Sequence, residues 1–184
     1  MNGFTNKLRL YWPLFKSLQT GLLVFTGLAG YMSARCPMYN LPTMLGVLVS
    51  LTAAIGGSTI LNMWWDRDID AKMRRTCNRP LASGKIQPAE ALKLGLALSL
   101  IGVVLAVSLD WLYGLIIFAG LFFDVVVYTI WLKRHTCWSI VWGGISGGMP
   151  ILAGRVLATG ELDWIGVLLA VGILFWIPTH ILTF

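Results

Sequence analysis

The sequence predicts an all-α fold, a polytopic bundle of transmembrane helices, and two observations lead to this prediction. The chain of 184 residues is 57% hydrophobic and only 12% charged, whereas soluble domains carry about 25% charged residues. It also contains six apolar stretches, near residues 14–34, 43–65, 88–109, 111–131, 139–158 and 163–184. Each is close to the ~20 residues that a helix needs to cross ~30 Å of hydrocarbon. We therefore expect residues 1–184 to form one transmembrane domain.

The connections between these stretches are short, except for one polar segment at residues 66–87. Short connections make consecutive helices antiparallel neighbours. The pairs Gly143/Gly147 and Gly144/Gly148 have the four-residue spacing that lets helices approach closely in lipid. We interpret these glycines as packing residues.

The distribution of lysine and arginine predicts the orientation of the bundle. Of the 14 basic residues, only Arg35 and Arg155 fall on the side opposite the N-terminus, which leaves 12 on the side of the 66–87 segment. Cytoplasmic loops carry such an excess, so we expect the N-terminus to be cytoplasmic. We interpret the net charge of +6 as a consequence of this topology and of phosphate binding. The charge is not spread over a soluble surface, so nucleic acid is excluded as a partner.

Three oxygen-bearing side chains, Asn62, Asp66 and Asp70, follow one another at four-residue spacing after the second stretch. On a helix this spacing places them on one face. Such close carboxylates repel each other unless a cation is bound, and oxygen ligands suit Mg²⁺, which keeps positions open for water or phosphate oxygens. We predict that these three residues bind Mg²⁺ and that Asp66 and Asp70 are catalytic. Asp68 points away from this face, and the partners expected for it are Arg67, Lys72 and solvent.

Basic side chains on the same side of the membrane are candidates for binding a diphosphate. Arg75 and Arg79 lie in the polar segment, and guanidinium forks match phosphate oxygens bidentately. Lys133 and Arg134 close the fourth stretch, where Lys133 is a candidate catalytic point charge. The alternatives are the general excess of positive charge in cytoplasmic loops and, for Lys133, a snorkelling anchor.

Three polar residues within the spans are candidates for binding substrate. Asp124 lies inside the fourth stretch about one turn from Tyr128, and a buried acid in a membrane is costly and usually functional. His180 follows a helix-kinking proline in the sixth stretch, where it can contact a metal or a substrate carboxylate. The alternative for Asp124 and His180 is a hydrogen bond that serves packing.

The segments around these residues resemble the intramembrane (UbiA-type) aromatic prenyltransferases, the superfamily that includes 4-hydroxybenzoate polyprenyltransferase. Within it, the resemblance is strongest to the protoheme IX farnesyltransferase (haem O synthase) branch. The matching segments are Asn62-x-x-x-Asp66-x-x-x-Asp70, Met73-x-Arg75-Thr76-x-x-Arg79-Pro80-Leu81-x-x-Gly84-x-Ile86, Tyr128-Thr129-x-Trp131-Leu132-Lys133-Arg134-x-Thr136, Ile140-Val141-x-Gly143-Gly144 through Pro150 and Gly154, and Trp176-x-Pro178-x-His180.

The resemblance implies Mg²⁺-dependent transfer of a farnesyl group from farnesyl diphosphate to the vinyl group of protoheme IX (haem B), which gives haem O. Asn62, Asp66 and Asp70 then hold Mg²⁺, while Arg79 and Lys133 stabilise the leaving diphosphate. The implied partners are farnesyl diphosphate, haem B, membrane lipids and haem A synthase.

The resemblance also implies about nine transmembrane helices, with a second Asp-rich motif after the sixth. We therefore expect about six of nine helices in this chain, with the C-terminal part missing. The alternatives are a UbiA-type enzyme that uses a quinone-precursor or lipid acceptor, and an inactive truncated paralogue. No Arg- and Ser-rich presequence precedes the first span, so we expect the plasma membrane of a prokaryote rather than a mitochondrial inner membrane.

Overall fold

The structure, a computed structural model, describes residues 10–35, 40–136 and 138–182. The side chains of Arg35, Pro178, His180, Ile181 and Leu182 also lie outside the description. This part of the chain forms six long helices and contains no strand, which confirms the all-α prediction. The helices are α1 (Ser17–Arg35), α2 (Leu41–Asp70), α3 (Pro88–Leu109), α4 (Trp111–Leu132), α5 (Ser139–Thr159) and α6 (Trp164–Leu182).

Four of these helices, α2 to α5, are long and apolar enough to cross a membrane. Within the described residues, α6 contributes a shorter apolar segment, Trp164–Ile177. α1 is less apolar because it carries polar residues such as Gln19, Thr20 and Ser33. Length and composition therefore support four of the six predicted spans by themselves.

α2 lies at the centre of the bundle, where it packs most extensively against α3 and also contacts α1 and α4. α5 packs against α1, α4 and α6. Tyr113 of α4 is fully buried, and its hydroxyl lies 2.9 Å from Ser50 Oγ of α2, which satisfies both polar groups. The buried residues of this main core are Val24, Val47, Leu51, Ala54, Ala106, Tyr113, Ile116, Ile117, Ala153 and Val156.

Glycines of α5 set its distance from two neighbouring helices. A Cβ on Gly154 would lie 1.9 Å from the carbonyl oxygen of Gly27, so α1 and α5 touch through their backbones. Gly144 and Gly148 face α6, where a Cβ on Gly148 would lie 2.7 Å from the carbonyl oxygen of Ala170. The four-residue glycine spacing thus marks a close helix contact, as lipid-embedded helices require.

α4 changes its winding part of the way along its length. It begins at Trp111, where the Asp110 side chain caps it by accepting a hydrogen bond from the Tyr113 amide (2.8 Å). From Phe123 to Leu132 the helix has π geometry, a conformation that is frequent at functional sites. This segment carries the candidate residues Asp124 and Tyr128 and ends next to Lys133.

The charged end of the bundle, where α2 and α4 both finish, is closed by a second buried cluster. This cluster joins α2 to the short 3-10 helix Trp12–Phe15 and to the loop of residues 71–87. The Thr76 hydroxyl donates a hydrogen bond to the Asp70 carbonyl (3.0 Å), which fixes the start of this loop. The buried members are Leu14, Ile60, Met63, Leu81, Ile86 and Ala91.

An ion pair joins three elements at the opposite end of the bundle. Arg155 of α5 is buried, and its Nη2 lies 2.6 Å from Asp163 Oδ2 in the α5–α6 loop. Its Nη1 donates to Ser33 Oγ of α1 (3.0 Å). Hydrogen bonds from Arg155 and from the Gly166 amide hold the pKa of the Asp163 carboxyl below its usual value.

Candidate active site

An apolar cavity of about 580 Å³ lies between α1, α2, α4, α5 and α6. Its walls are mostly hydrophobic side chains, such as Leu51, Ile117 and Met149. The ionisable and amide side chains in its lining lie toward the charged end, and they are Lys16, Gln19, Asn62, Asp124 and Tyr128. A cavity with apolar walls and polar groups at one end suits a ligand that has a hydrocarbon chain and a charged head.

Asp66 lies one helical turn beyond Asn62, toward the charged end. It is buried, with 7% of its surface exposed, and its Oδ2 pairs with the Lys133 ammonium. Its Oδ1 is also buried and accepts no hydrogen bond from any described residue. A buried carboxylate oxygen without a donor is costly, so a cation bound at this oxygen would remove the cost.

Asp70 lies a further turn along α2 and is also buried. Its Oδ2 accepts a hydrogen bond from Arg79 Nη1 at 2.7 Å. The 71–87 loop brings Arg79 back over the end of α2, so a residue nine positions along the chain reaches the same helix face. Both predicted acidic residues therefore pair with a predicted diphosphate-binding cation.

Asn62 is held in a hydrogen-bond network with α4. Its Nδ2 donates to Asp124 Oδ2 (2.9 Å), and its Oδ1 lies 2.7 Å from the Thr129 hydroxyl. The Ser58 hydroxyl also donates to Asp124 Oδ2. The amide of Asn62 thus turns toward α4, and a metal ion would share its oxygen with Thr129.

Tyr128 and Lys133 lie together at the end of α4. Lys133 Nζ lies 5.4 Å from the centroid of the Tyr128 ring, within cation–π range. The Lys133 amide donates to the Tyr128 carbonyl (2.8 Å), which continues the wide winding of the π-helix. The ring of Tyr128 packs over Gly143 of α5 and faces the cavity.

Arg134 lies outside the cavity lining. Its guanidinium donates to both carboxylate oxygens of Asp68, at 2.8 and 3.2 Å, and to the Trp65 carbonyl at 2.7 Å. Asp68 was predicted to pair with Arg67, Lys72 or solvent. It is exposed to solvent, but its partner is Arg134 and not Arg67 or Lys72. The pairing joins residues 66 positions apart, which local helix geometry does not reveal.

Arg75 and His180 complete the set of predicted residues. Arg75 is exposed in the 71–87 loop, away from the cavity lining. The side chain of His180 lies outside the described residues. Three polar residues of the site were missed by the sequence analysis, namely Lys16, Ser58 and Thr129. Ser58 was predictable because it is a polar residue about one turn from Asn62, whereas nothing in the sequence indicates that Lys16 belongs to the site.

The acidic residues of α2 fit a magnesium ion. Asp66 and Asp70 are one turn apart, and one buried oxygen of Asp66 has no hydrogen-bond donor in the part of the chain that the structure describes. In the described ranges no three His, Cys, Asp or Glu side chains cluster closely enough to hold a metal ion. Mg²⁺ is commonly held by one or two carboxylates, with waters and substrate phosphates completing its coordination. Asp66 and Asp70 can therefore hold Mg²⁺ without a third acidic ligand.

Comparison with known proteins identifies the family. A model of the UbiA prenyltransferase family matches residues 23–184. The chain belongs to the UbiA prenyltransferase family. Of the described helices, the match takes in all of α2 to α6 and most of α1.

Similar proteins include enzymes named protoheme IX farnesyltransferase. The one from Archaeoglobus fulgidus is 44% identical over 176 residues, which cover 95% of this chain and 61% of that protein. The one from Caulobacter vibrioides is 44% identical over 172 residues, which cover 92% of this chain and 51% of that protein. The chain therefore spans between about half and three fifths of the length of these UbiA relatives.

Solved structures share the helical arrangement at lower identity. A structure of digeranylgeranylglyceryl phosphate synthase has a TM-score of 0.82 at 23% identity, covering 92% of this chain and 59% of that chain. A UbiA homologue from Archaeoglobus fulgidus, bound to DMAPP and Mg²⁺, has a TM-score of 0.77 at 20% identity, covering 94% of this chain and 62% of that chain. These similarities confirm the fold of a UbiA-type integral membrane protein.

Proposed function

We propose that this chain binds a prenyl diphosphate together with Mg²⁺ and that its reaction is farnesyl transfer to haem B. The observation that carries the proposal is the environment of Asp66. This buried carboxylate pairs with Lys133, and one of its oxygens has no hydrogen-bond donor among the described residues. It lies one helical turn beyond Asn62, which lines the charged end of the apolar cavity. The site thus offers a cation ligand, a counter-charge for a diphosphate and a dry space for an isoprenoid chain.

Asp66 and Asp70 are the proposed magnesium ligands, with Asn62 contributing its amide oxygen. When bound, Mg²⁺ supplies positive charge that stabilises a leaving diphosphate. Lys133 and Arg79 are proposed to bind diphosphate oxygens, because both ammonium and guanidinium groups form charge-assisted hydrogen bonds with phosphate. Mg²⁺ and DMAPP bound to a UbiA homologue of the same fold support this assignment.

The remaining predicted residues are assigned to the substrate. Tyr128 turns its ring toward the cavity, where its π face stabilises positive charge developing on the prenyl carbon. Asp124 lies one turn earlier on α4 and also lines the cavity. Three further residues stay proposed substrate contacts, namely Arg75, Arg134 and His180. The side chains of Arg75 and Arg134 do not belong to the cavity lining.

The acceptor is proposed from the relatives. Proteins that are 44% identical over more than nine tenths of this chain carry the name protoheme IX farnesyltransferase. In the proposed reaction the bond from farnesyl carbon 1 to the diphosphate breaks, and a carbon–carbon bond forms with the vinyl group. Water then adds to the resulting cation and releases a proton, which leaves a hydroxyethylfarnesyl group.

The membrane setting is proposed from the charge distribution. The excess of lysine and arginine near the charged end supports a cytoplasmic position for that end and for the N-terminus. The plasma membrane of a prokaryote stays the proposed location. Farnesyl diphosphate and membrane lipids are proposed partners on this basis, and haem A synthase is a proposed protein partner.

The proposal is tested by supplying labelled farnesyl diphosphate and Mg²⁺ to membranes that contain the chain. Haem B, a phenolic quinone precursor and an isoprenoid lipid alcohol are offered separately as acceptors. We expect the label to appear in haem B alone. Label in either other acceptor would keep the prenyl-transfer chemistry and overturn the haem assignment, and no transfer to any acceptor would contradict the proposed function.

A further inference from the structure

Lys16 has a backbone conformation that is rare for a residue with a side chain. Its φ and ψ are 41° and 59°, in the left-handed region, and no other described non-glycine residue has a positive φ. It forms the turn between the 3-10 helix Trp12–Phe15 and α1. This conformation costs free energy for every residue except glycine, and such strain is concentrated at functional sites.

The turn places the Lys16 side chain in the cavity. Lys16 is the only lysine or arginine among the described residues that line this cavity. It therefore brings a positive charge to the α1 side of the cavity. An ammonium group in an apolar cavity is costly without a partner.

Lys16 also differs from the other cations of the site in having no partner. Arg79 pairs with Asp70, and Lys133 pairs with Asp66. Within the described part of the chain, Lys16 forms no such ion pair or side-chain hydrogen bond.

The electrostatic environment of Lys16 favours an added anion. Burial lowers the pKa of the Lys16 ammonium, and repulsion from Arg79 and Lys133 lowers it further. Asp124 and Asp66 act in the opposite direction with smaller effects. The charges of Arg79 and Lys133 therefore act on Lys16, and an anion bound near Lys16 would offset this repulsion.

We propose that Lys16 binds the diphosphate of the prenyl substrate from the α1 side of the cavity, as a third cation beside Lys133 and Arg79. The inference rests on the proposed function, because it assigns a further contact to the same ligand. A lysine suits this place because a flexible stem with a compact charge can follow phosphate oxygens as a point contact. We therefore attribute the unfavourable left-handed conformation of Lys16 to its role in directing the ammonium group into the cavity.

The left-handed turn provides a variant that separates binding from folding. Lys16→Gly removes the charge but favours the observed backbone conformation, so its melting temperature should equal or exceed that of the wild type. Lys16→Met removes the charge and keeps most of the stem, while Lys16→Arg keeps the charge. Lys93→Met is the matched control, because Lys93 is exposed at the start of α3.

The test measures equilibrium binding of farnesyl thiolodiphosphate, an analogue that resists ionisation, to the whole chain in lipid nanodiscs with Mg²⁺. Farnesol, which has the same hydrocarbon chain but no charge, is the second ligand. We expect Lys16→Gly and Lys16→Met to bind the analogue at least about tenfold more weakly, the loss typical of a charge-assisted hydrogen bond. Lys16→Arg and Lys93→Met should bind it nearly as the wild type does, and all variants should bind farnesol equally.

Each other outcome contradicts a specific part of the account. Wild-type affinity for the analogue in Lys16→Gly and Lys16→Met would overturn the role of Lys16 and leave the proposed function intact. Equal losses for the analogue and farnesol, with lower melting temperatures, would show a purely structural role. If the wild-type chain itself fails to bind the analogue, the proposed function is contradicted and the assignment of Lys16 fails with it.

Discussion

Asp66 is the residue on which the proposed chemistry most depends. Its two oxygens have different environments, since one pairs with Lys133 and the other is buried with no donor from residues 10–35, 40–136 or 138–182. Burial of a half-satisfied carboxylate is destabilising in a membrane protein, so its presence is best explained by a ligand. Asp68, two positions away, is an exposed carboxylate that pairs with Arg134, so the proposed metal ligand and an exposed ion-paired acid lie close together on one helix.

Replacing Asp66 should weaken metal binding directly. Asp66→Asn keeps the size of the side chain but removes its charge, so we expect at least a tenfold lower affinity for Mn²⁺ as a spectroscopic substitute for Mg²⁺. Paramagnetic resonance of free Mn²⁺ measures this affinity without any turnover. Asp68→Asn is the matched control and should bind as the wild type does. Equal affinities in Asp66→Asn and the wild type would exclude Asp66 as a ligand.

The Arg155–Asp163 pair should give the bundle a specific acid sensitivity. The pKa of the Asp163 carboxyl is lower in the folded protein than in the unfolded chain, where it is about 3.9. The ionised carboxylate therefore contributes its full stabilisation above the unfolded pKa, and this stabilisation is lost as the pH falls through the folded pKa. Asp163→Asn should lower the melting temperature at pH 7 and reduce the further fall in melting temperature between pH 5 and pH 3.

Thermal unfolding in detergent across this pH range measures the effect of Asp163. Glu161→Gln is the control, because Glu161 is an exposed carboxylate in the same loop with no ion pair among the described residues. Parallel pH profiles for Asp163→Asn and the wild type would show that Asp163 does not contribute to the acid sensitivity.

At the scale of elements, α4 and the α1–α5 contact determine the shape of the site. The π geometry of Phe123–Leu132 places Asp124 and Tyr128 in the cavity lining and Lys133 beside Asp66. The backbone contact between Gly154 and Gly27 brings α1, which carries Lys16 at its start, against α5. Because five helices form the walls of the cavity, its shape depends on both the π geometry of α4 and the α1–α5 contact.

The α1–α5 contact should tolerate no added side-chain atom. Gly154→Ala places a Cβ 1.9 Å from a carbonyl oxygen, so the helices must separate, at a cost of about 1–3 kcal/mol in unfolding free energy. Gly21→Ala is the control on α1, where nothing lies within 4 Å of the added Cβ. It should be neutral or slightly stabilising, since alanine favours helix. A Gly154→Ala variant as stable as Gly21→Ala would contradict this packing.

Features with a local signal were predictable from the sequence, and features that depend on distant residues were not. The helices were predictable because apolar runs of membrane length are separated by short polar connections. The face of Asn62, Asp66 and Asp70 followed from helical periodicity alone. The π-helix in α4 was not predictable, because its residues are equally compatible with an α-helix.

Pairings between helices were also beyond the sequence. Asp68 and Arg134 lie 66 positions apart and meet only because α2 and α4 end side by side. The left-handed turn at Lys16 was missed for a related reason, since a lysine carries no local preference for positive φ.

At the scale of the whole molecule, the chain combines a membrane-embedded apolar cavity with charged groups gathered at one end. In the proposed function, this arrangement would separate the diphosphate from an apolar interior that holds the prenyl group. The described helices superpose on the UbiA fold, and the chain spans about half to three fifths of its relatives' length. The central claim is therefore that this portion of the fold carries a working metal and diphosphate site.

The most direct test of this claim is haem O formation from haem B and farnesyl diphosphate, followed by mass spectrometry. Membranes containing the wild-type chain are compared with membranes containing Asp66→Asn, each with Mg²⁺ and with excess chelator. The account predicts haem O only for the wild type with Mg²⁺, and at least about a hundredfold less for Asp66→Asn. Equal haem O formation by Asp66→Asn, or formation that is unaffected by chelator, would contradict it.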